Sequence, residues 1–367
     1  MKELIGKILR RLKKEAKKFF KKINPKINIP DLGYTSQLDS SIRVAVVGLG
    51  PQGHKLTMYL HNMGYNIVAI CDLNSKRRSL LKKKIPNEKA IKNIDELSKF
   101  NIDVCVLATL ADSHLKLIEK LNSLGIKKIL SEKPITNSMS DSFKLKKFIN
   151  DNNIRIEVYH PALFSEEIIE FKENIANLKK GKLLNATLTF KPGGIGNIGS
   201  HVIATFLFLT GIKIKKIISS ILSETDGISR GKKYYDPNGS ITLLTEDDVT
   251  ISINNSKEIK VRYQKIELNY ENIIINIVDS KKLIVRYKKE INKDQVLIAK
   301  NANNNHLNRY KCLDNSLVKL ITNDKSHSFS YALDAVEIII ASHLAYKNNE
   351  SVLLPIEVST PIIYNFS

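Results

Sequence analysis

The chain has 367 residues, of which 43% are hydrophobic, and a formal net charge of +21 at pH 7. This length fits two globular domains better than one, and no apolar run approaches the roughly eighteen residues that a bilayer-spanning helix needs. The three cysteines, Cys71, Cys105 and Cys312, are widely spaced. This usage argues against a disulfide framework and favours a reducing, cytoplasmic location.

The positive charge is distributed unevenly along the chain. Residues 1–26 contain eleven Lys or Arg against Glu3 and Glu15, a charge of +9, so the other 341 residues carry +12. The basic N-terminus lacks the continuous apolar segment and the small-residue cleavage site of a secretory signal. The chain has no zinc-finger spacing and no tryptophan to stack on bases, so no nucleic-acid partner is expected.

The first segment, residues 1–24, is predicted to be a basic amphipathic helix. Apolar residues recur at spacings of three and four, and Lys and Arg fill the opposite face; the apolar residues are Leu4, Ile5, Ile8, Leu9, Leu12, Ala16, Phe19, Phe20 and Ile23. Such a helix, spanning residues 2–23, favours an anionic membrane surface and a peripheral position on the inner membrane. Packing of the apolar stripe on the body or on another subunit is the alternative. A linker, residues 25–41, follows.

Residues 42–160 alternate strands with helices, which predicts a Rossmann domain with a parallel sheet and helices on both faces. The predicted strands are 43–47, 66–71, 103–108, 128–131 and 154–158. The predicted helices begin after a glycine-rich turn near residue 51 and continue with 75–84, 94–99, 113–124 and 140–150.

Residues 161–367 have a different sequence pattern, in which predicted strands follow one another with short turns. The predicted strands are 183–190, 214–221, 239–245, 248–254, 262–268, 271–278 and 282–287, and the clearest helices are 199–210 and 329–347. This order predicts an α+β domain with a large, mostly antiparallel sheet that helices cover on one face. The Asn-rich segment 291–325 has no assignment.

The turn after the first strand carries Gly48, Gly50 and Gly53 in the G-x-G-x-x-G register of dinucleotide-binding turns. The first glycine allows the tight turn, the second lets the backbone approach a pyrophosphate, and the third lets the helix pack on the strand. Pro51 and Gln52 open the helix, where a missing proline N–H costs nothing. The pyrophosphate is expected among the free N–H groups at this helix start.

Asp72 ends the second strand, 24 residues after Gly48. A carboxylate here can accept hydrogen bonds from the adenosine ribose hydroxyls, which favours NAD(H) over NADP(H). The nearby Lys76, Arg77 and Arg78 could instead attract a 2′-phosphate, so NADP(H) stays open as the second choice.

Residues 131–134 read Ser-Glu-Lys-Pro at the end of a later buried strand. Lys133 lies there between Glu132 and Pro134, where the nicotinamide end of a bound dinucleotide is expected. A lysine at this place is a candidate proton donor for a reacting oxygen.

The order of these features resembles the Gfo/Idh/MocA oxidoreductases, named after glucose–fructose oxidoreductase and inositol dehydrogenase. The resemblance covers residues 42–367 and rests on the glycine turn, Ala108-Thr109, His114, Gly125, Glu132-Lys133-Pro134, the segment 193–201, and a closing helix ahead of Val352-Leu353-Leu354-Pro355. It implies a Rossmann domain joined to an α+β domain, whose large open sheet often forms the subunit interface, and therefore a homo-oligomer.

The resemblance also implies roles for individual residues. Lys133 would contact the substrate oxygen, a cis Pro134 would position it, and His201 would be its acid/base partner. The residues that would lie by the cofactor are Glu132, Pro134, Thr109 and His114, although a histidine at a helix start is equally often structural. Asn197, Tyr159 and His160 are the candidate substrate-side residues. The implied reaction is NAD(P)-dependent hydride transfer on a sugar, sugar nucleotide or related polyol.

Several positions depart from the family pattern. At two positions near His201, where family members usually have aspartate, this chain has Asn197 and Ala204. The arginine that the family pattern places after the last Rossmann strand is also missing. Two alternatives therefore stay open: a reductase of imines or other double bonds, and a non-catalytic dinucleotide sensor or scaffold. The remaining histidines show no ligand spacing, so no metal site is predicted.

Overall fold

The computed structural model describes residues 33–38, 41–85, 88–223, 235–256, 259, 264–288, 294–298, 305–322 and 328–357. The predicted amphipathic helix 1–24 lies outside these residues, as does most of the predicted linker. No helix in the described ranges is long and apolar enough to cross a membrane.

The first sheet is six-stranded and parallel, as predicted for a Rossmann domain. Its strands are β1 (Arg43–Val47), β2 (Asn66–Cys71), β3 (Lys89–Ile91), β4 (Val104–Leu107), β5 (Lys128–Ser131) and β6 (Arg155–Val158). Their spatial order is β3-β2-β1-β4-β5-β6, so the chain reverses direction across the sheet between β1 and β4. A crevice at the carboxyl ends of these two strands is where open α/β sheets bind ligands.

The helices of this domain alternate with its strands. They are α1 (Pro51–Asn62), α2 (Ser75–Lys82), α3 (Ala111–Ser123) and α4 (Met139–Asp151), with a 3-10 turn at Ile94–Lys99. The strand interiors, such as Val104 to Leu107, are fully buried because helices cover both faces of the sheet. Strand β3 was not predicted from the sequence, since three residues carry too little pattern to recognise.

The second sheet has nine strands and is antiparallel except for one pair. Its strands are β7 (Leu183–Phe190), β8 (Ile214–Leu222), β9 (Gly239–Thr245), β10 (Thr250–Asn255), β11 (Gln264–Tyr270), β12 (Ile273–Val278), β13 (Lys282–Tyr287), β14 (Asp294–Ile298) and β15 (Val352–Leu353). The order is β14-β13-β12-β11-β7-β10-β9-β8-β15, and β7 pairs with β10 in parallel. The mostly antiparallel sheet predicted from the sequence is thus confirmed.

The two faces of this sheet differ in chemistry. Ala186, Ile251 and Leu268 are cross-strand partners in one buried row. The next row, formed by Thr187, Ser252 and Glu267, lies on the opposite face and is only half-buried. The homo-oligomer expected through this open face stays a prediction.

Helices α5 (Glu166–Asn177), α6 (Ser200–Thr210), α7 (Asn305–Thr322) and α8 (Ser328–Asn348) complete the fold. Helix α8 packs on α6 and β8 and also on β6 of the Rossmann sheet, while α7 packs on β5 and β6. Helix α7 occupies the segment that the sequence left unassigned. Its Tyr310 meets Tyr59 edge to face at 4.7 Å and accepts a hydrogen bond from Asn62, so α7 also contacts α1.

A buried carboxylate on α7 fixes the chain just before β1. Asp314 accepts hydrogen bonds from the hydroxyls of Tyr34 (3.0 Å), Ser36 (2.8 Å) and Tyr65 (2.5 Å), and from the backbone N–H of Gln37 (3.0 Å). Burial, together with this carboxylate, raises the pKa of Tyr34 to about 12. Three donors from residues 33–38 therefore converge with Tyr65 of the body on the Asp314 side chain, which holds this segment in place.

Candidate active site

The glycine turn packs so closely that its third glycine admits no side chain. A Cβ atom on Gly53 would lie 1.8 Å from the carbonyl oxygen of Gly48 and 3.2 Å from the Cβ of Ala108. Helix α1 can therefore approach the end of β1 only with glycine here. This is the packing role that the motif predicts for its third glycine.

The second glycine faces open space instead. A Cβ on Gly50 would meet no described atom within 4 Å, although Gly50 caps the N-terminus of α1 and Pro51 follows it. Side-chain-free space beside the first N–H groups of a twelve-residue helix suits a pyrophosphate. Gln52 lies one residue further on, and its side-chain oxygen accepts a hydrogen bond from Lys55. The residues present thus fit a dinucleotide.

Asp72 is fixed beside this turn. Its Oδ2 accepts a hydrogen bond from the N–H of Leu49 (2.7 Å), and its Oδ1 accepts one from the N–H of Asn74 (2.7 Å). Arg77 approaches Oδ2 at 3.4 Å, and Arg78 donates to the backbone oxygen of Asp72 at 2.6 Å. Two of the three nearby cations are therefore directed at Asp72 itself.

Lys133 joins the two domains. It follows β5, and its bond to Pro134 is cis, the isomer that the resemblance implies. Its ammonium donates hydrogen bonds to the backbone oxygen (2.9 Å) and the side-chain oxygen (2.6 Å) of Asn197 in the second domain. The backbone N–H of Lys133 donates to Glu132 Oε2 at 3.2 Å. The Lys133 side chain is thus aimed across the cleft.

His114 lies behind this loop. It is fully buried, with Nδ1 3.0 Å from the oxygen of Ile135 and Nε2 3.3 Å from the oxygen of Thr109. Burial lowers the pKa of its imidazole. The ring therefore braces the end of β4 against the loop that carries Lys133, and the predicted cofactor contacts of Thr109 and His114 stay predictions.

Asn197 belongs to a π-helical turn, Ile195–Gly199, that leads into α6. The buried carboxylate of Asp236 accepts the N–H of Gly196 (2.7 Å) and the N–H of Asn197 (2.8 Å). Gly194 has a φ of +90°, and a Cβ there would lie 2.1 Å from the Asp236 carboxyl carbon. Asp236 thus fixes the turn that receives Lys133, a role with no local sequence signal.

His201, in the first turn of α6, pairs with His160, which follows β6. Their Nδ1 atoms are 3.0 Å apart and the rings meet edge to face, with centroids 4.9 Å apart. Burial and the Lys133 charge lower the pKa of His160 to about 3. The pKa of His201 is held well below its usual value by burial, then by Lys133, His160 and Arg309. Both imidazoles are neutral at neutral pH.

Two further positions are tightly packed: Tyr159, which was predicted on the substrate side, and Ala204, where the family usually has an aspartate. Tyr159 is buried, stacks on Phe164, and its hydroxyl lies 3.4 Å from the backbone oxygen of Arg309. Ala204 is fully buried and offers no polar group. The charge of Arg309 also lowers the pKa of Lys55, after burial, so α7 brings a cation to the cleft that the sequence did not predict.

A family described as "Oxidoreductase family, NAD-binding Rossmann fold" (GFO_IDH_MocA) has a sequence profile that matches residues 42–160. The matched segment spans the six-stranded sheet, the glycine turn, Asp72 and Lys133. Among the described residues, no group of three or more His, Cys, Asp or Glu is arranged to hold a metal ion.

Solved structures share the fold over most of the chain. An oxidoreductase from Agrobacterium radiobacter in complex with NAD+, L-tartaric acid and magnesium has a TM-score of 0.72 at 16% identity, covering 85% of this chain and 98% of that one. Levoglucosan dehydrogenase in complex with NADH and levoglucosan also has a TM-score of 0.72 at 16% identity, covering 86% and 100%. At these identities the likeness is one of fold.

A sequence relative matches part of the chain. The redox-sensing transcriptional repressor Rex of Oenococcus oeni is 29% identical over an alignment that covers 39% of this chain and 63% of the repressor. The chain therefore spans less than two thirds of this relative's length.

Proposed function

Because the chain belongs to the Gfo/Idh/MocA family of NAD-binding oxidoreductases through residues 42–160, we propose that it is a dehydrogenase acting on a carbon that bears a hydroxyl or carbonyl group. The observation that carries this proposal is the pair of hydrogen bonds from Lys133 to Asn197, a residue that precedes His201 by four positions. A cation and a neutral imidazole are thereby brought to one place at the carboxyl end of the Rossmann sheet.

The glycine turn, the N-terminus of α1 and Asp72 would hold the cofactor. When bound, a nicotinamide dinucleotide supplies the group that accepts or donates hydride. Asp72 is already anchored by two backbone N–H groups, and its carboxylate suits ribose hydroxyls better than a 2′-phosphate. This supports NAD(H) as the preferred cofactor, with Arg77 turned toward Asp72 and away from that role.

Lys133 is the group that polarises the substrate oxygen. Its ammonium can donate a hydrogen bond to a hydroxyl or carbonyl while Asn197 fixes its direction. Positive charge at this point stabilises the negative charge that grows on the oxygen as its proton leaves.

His201 is the proton acceptor for the oxidation of a hydroxyl and the donor for the reverse reaction. A neutral imidazole can take a proton at neutral pH, and burial together with Lys133 keeps His201 neutral. The substrate is a sugar, sugar nucleotide or polyol; the resemblance of the fold to levoglucosan dehydrogenase supports this class.

The test is rapid-mixing absorbance at the NADH band with a panel of sugars, sugar nucleotides and polyols. The variants Lys133→Met and His201→Asn are expected to lower kcat by about 10²- to 10⁴-fold while NADH binding is retained. The exposed Lys116 and His61 provide matched controls, Lys116→Met and His61→Asn, which should turn over normally.

The rival function is a dinucleotide sensor without turnover. The resemblance of part of the chain to the repressor Rex supports it. It predicts that NADH binds, but that no compound of the panel either consumes NADH or forms it from NAD+. That result would overturn the dehydrogenase proposal. Equal turnover by wild type and Lys133→Met would instead remove the proposed role of the lysine.

A further inference from the structure

The ring partner of His201 is another imidazole. His160 follows β6 of the Rossmann sheet and His201 begins α6 of the second domain, so the pair spans the cleft between the two. The contact is direct, Nδ1 to Nδ1 at 3.0 Å, and His160 is 1% exposed. The backbone of His160 is fixed as well, by the bond of its N–H to Val158 and of its oxygen to the N–H of Leu163.

Two imidazoles that share an Nδ1–Nδ1 hydrogen bond must be in complementary tautomers. A neutral imidazole carries one N–H, so one ring donates from Nδ1 and the other carries its hydrogen on Nε2. The charged groups that act on the His201 ring are the cations Lys133 and Arg309, and both disfavour an imidazolium. Both rings therefore stay neutral, and the remaining question is which of the two carries its hydrogen on Nδ1.

We propose that His160 is the positioning residue of His201: its unprotonated Nδ1 accepts the Nδ1–H of His201 and leaves Nε2 of His201 free to take the substrate proton. This inference rests on the proposed function, in which His201 is the base, and it names His160 as the residue that sets the tautomer of that base. In the proton transfer, the substrate O–H bond breaks, an Nε2–H bond forms on His201, and the electron pair of the broken bond stays on the substrate oxygen.

The orientation follows from what each ring has to do. If His201 instead accepted at Nδ1, its hydrogen would be on Nε2, and that nitrogen could donate to the substrate but could take no proton. In the proposed orientation, the His201 cation formed during turnover keeps its Nδ1–H on His160. An imidazole partner adds no charge, unlike a carboxylate, so the base stays weak and returns its proton readily.

The first test reads the tautomer without substrate or cofactor. Full-length protein labelled with ¹⁵N-histidine is measured by NMR at neutral pH, and the His201 signals are assigned as those missing from His201→Asn. The expected result is a protonated Nδ1 and an unprotonated Nε2 on His201. Protonation of Nε2 would overturn the proposal even if the protein proves to be an enzyme.

The second test uses three variants at position 160. Asparagine places an amide oxygen near the position of Nδ1, so His160→Asn should retain about a tenth or more of kcat, whereas His160→Phe should lose about 100-fold. KM and NADH binding should hardly change in either. His160→Asp should move the acid limb of the kcat profile to higher pH by about one unit, because a carboxylate raises the pKa of His201 between the cations Lys133 and Arg309.

The outcomes separate the two proposals. If no substrate turns over, the dehydrogenase proposal fails while the NMR result still decides the tautomer. If His201→Asn is inactive but His160→Phe is as active as wild type, the positioning role of His160 fails alone. If His160→Phe misfolds, as judged by lost NADH binding, two measurements still test the positioning role of His160. They are the acid-limb shift in His160→Asp and the His201 tautomer of the wild-type protein.

Discussion

The two sides of the cleft are built by different means. On the Rossmann side, the Gly48 to Gly53 turn and Asp72 work through backbone N–H groups, helix geometry and the absence of side chains. On the opposite side, each functional side chain is held by another from a distant part of the sequence: Asn197 by Lys133, and His201 by His160.

This difference explains how tolerant each side is of sequence change. A backbone cradle depends on a few steric requirements that almost nothing but glycine satisfies. A side-chain network can exchange one partner for another, provided that the hydrogen bonds are still made. The loss of the usual aspartates on the substrate side is therefore compatible with an ordered site, because Asp236 and His160 supply contacts from elsewhere.

The largest effect is expected from the steric requirement at Gly53. Gly53→Ala places a Cβ 1.8 Å from the Gly48 oxygen, so α1 must shift and NADH binding should weaken by at least about 100-fold. Calorimetry measures the affinity for NADH, and a thermal melt measures the effect of the helix shift on the melting temperature. Gly50→Ala is the matched control: it should keep its melting temperature and lose affinity only. Equal melting temperatures for both variants would contradict a purely steric role of Gly53.

A smaller effect is expected when the substrate side loses its buried carboxylate. Asp236→Ala leaves the N–H groups of Gly196 and Asn197 without their acceptor, so the turn that receives Lys133 loosens. We expect kcat to fall by about 10- to 100-fold with unchanged NADH affinity, measured by steady-state kinetics and titration. The exposed Asp247→Ala is the control, and a parallel loss of NADH affinity would mean that the two sides are not independent.

Asp72 tests cofactor choice on the Rossmann side alone. Asp72→Ser removes the negative charge beside Arg77 and should shift the ratio of NAD(H) to NADP(H) efficiency by about 10-fold toward NADP(H). Kinetics with both cofactors measure the ratio. An unchanged ratio, with both efficiencies lowered alike, would assign Asp72 to the turn and not to ribose recognition.

The smallest effect concerns acid stability, to which two buried histidines contribute, His54 on α1 and His160 after β6. Burial lowers the pKa of His54 on α1 to about 4, and burial with Lys133 lowers that of His160 to about 3. Both values lie below the unfolded value of about 6.5, so the stability from each neutral ring is full above that pH and is lost as pH falls toward 4.

The measurement is urea unfolding at pH 7 and at pH 5. Each histidine should contribute a difference of about 2 kcal/mol between these two pH values, because the unfolded imidazole takes up its proton around pH 6.5. His54→Gln and His160→Asn should therefore each flatten the pH dependence by a similar amount. A slope that only His54→Gln changes would show that the pKa of His160 is not lowered in the folded protein.

Elements with a strict pattern were predicted closely from the sequence. Strands β1, β2, β7, β9 and β13 have the predicted bounds, because buried parallel strands are continuously apolar and half-buried ones alternate. Helix α7 was missed although Tyr310, Leu313 and Leu317 recur at helical spacing. Its three asparagines have low helix propensity, and packing on β5 and β6 overrides that preference.

The candidate site divides in the same way. Gly53 and Asp72 could be placed from the sequence because their geometry is local to one strand, turn and helix. The contact of Lys133 with Asn197 joins residues 64 positions apart, and Asp236 lies 39 positions after Asn197. Such pairings arise from how two domains meet, and a single sequence carries no periodicity that marks them.

The position of β7 also constrains how the chain folds as it is synthesised. This strand pairs in parallel with β10 on one side and antiparallel with β11 on the other, and both follow it in the chain. Residues 183–190 therefore leave the ribosome with two unpaired edges, and must remain so until residues up to 270 have followed. Strands β12 and β13 form a local hairpin, whereas the centre of the sheet must close through long loops, which is slow. Exposed edges that wait for their partners are sites for pairing with another chain, so this protein is expected to benefit from chaperones during synthesis.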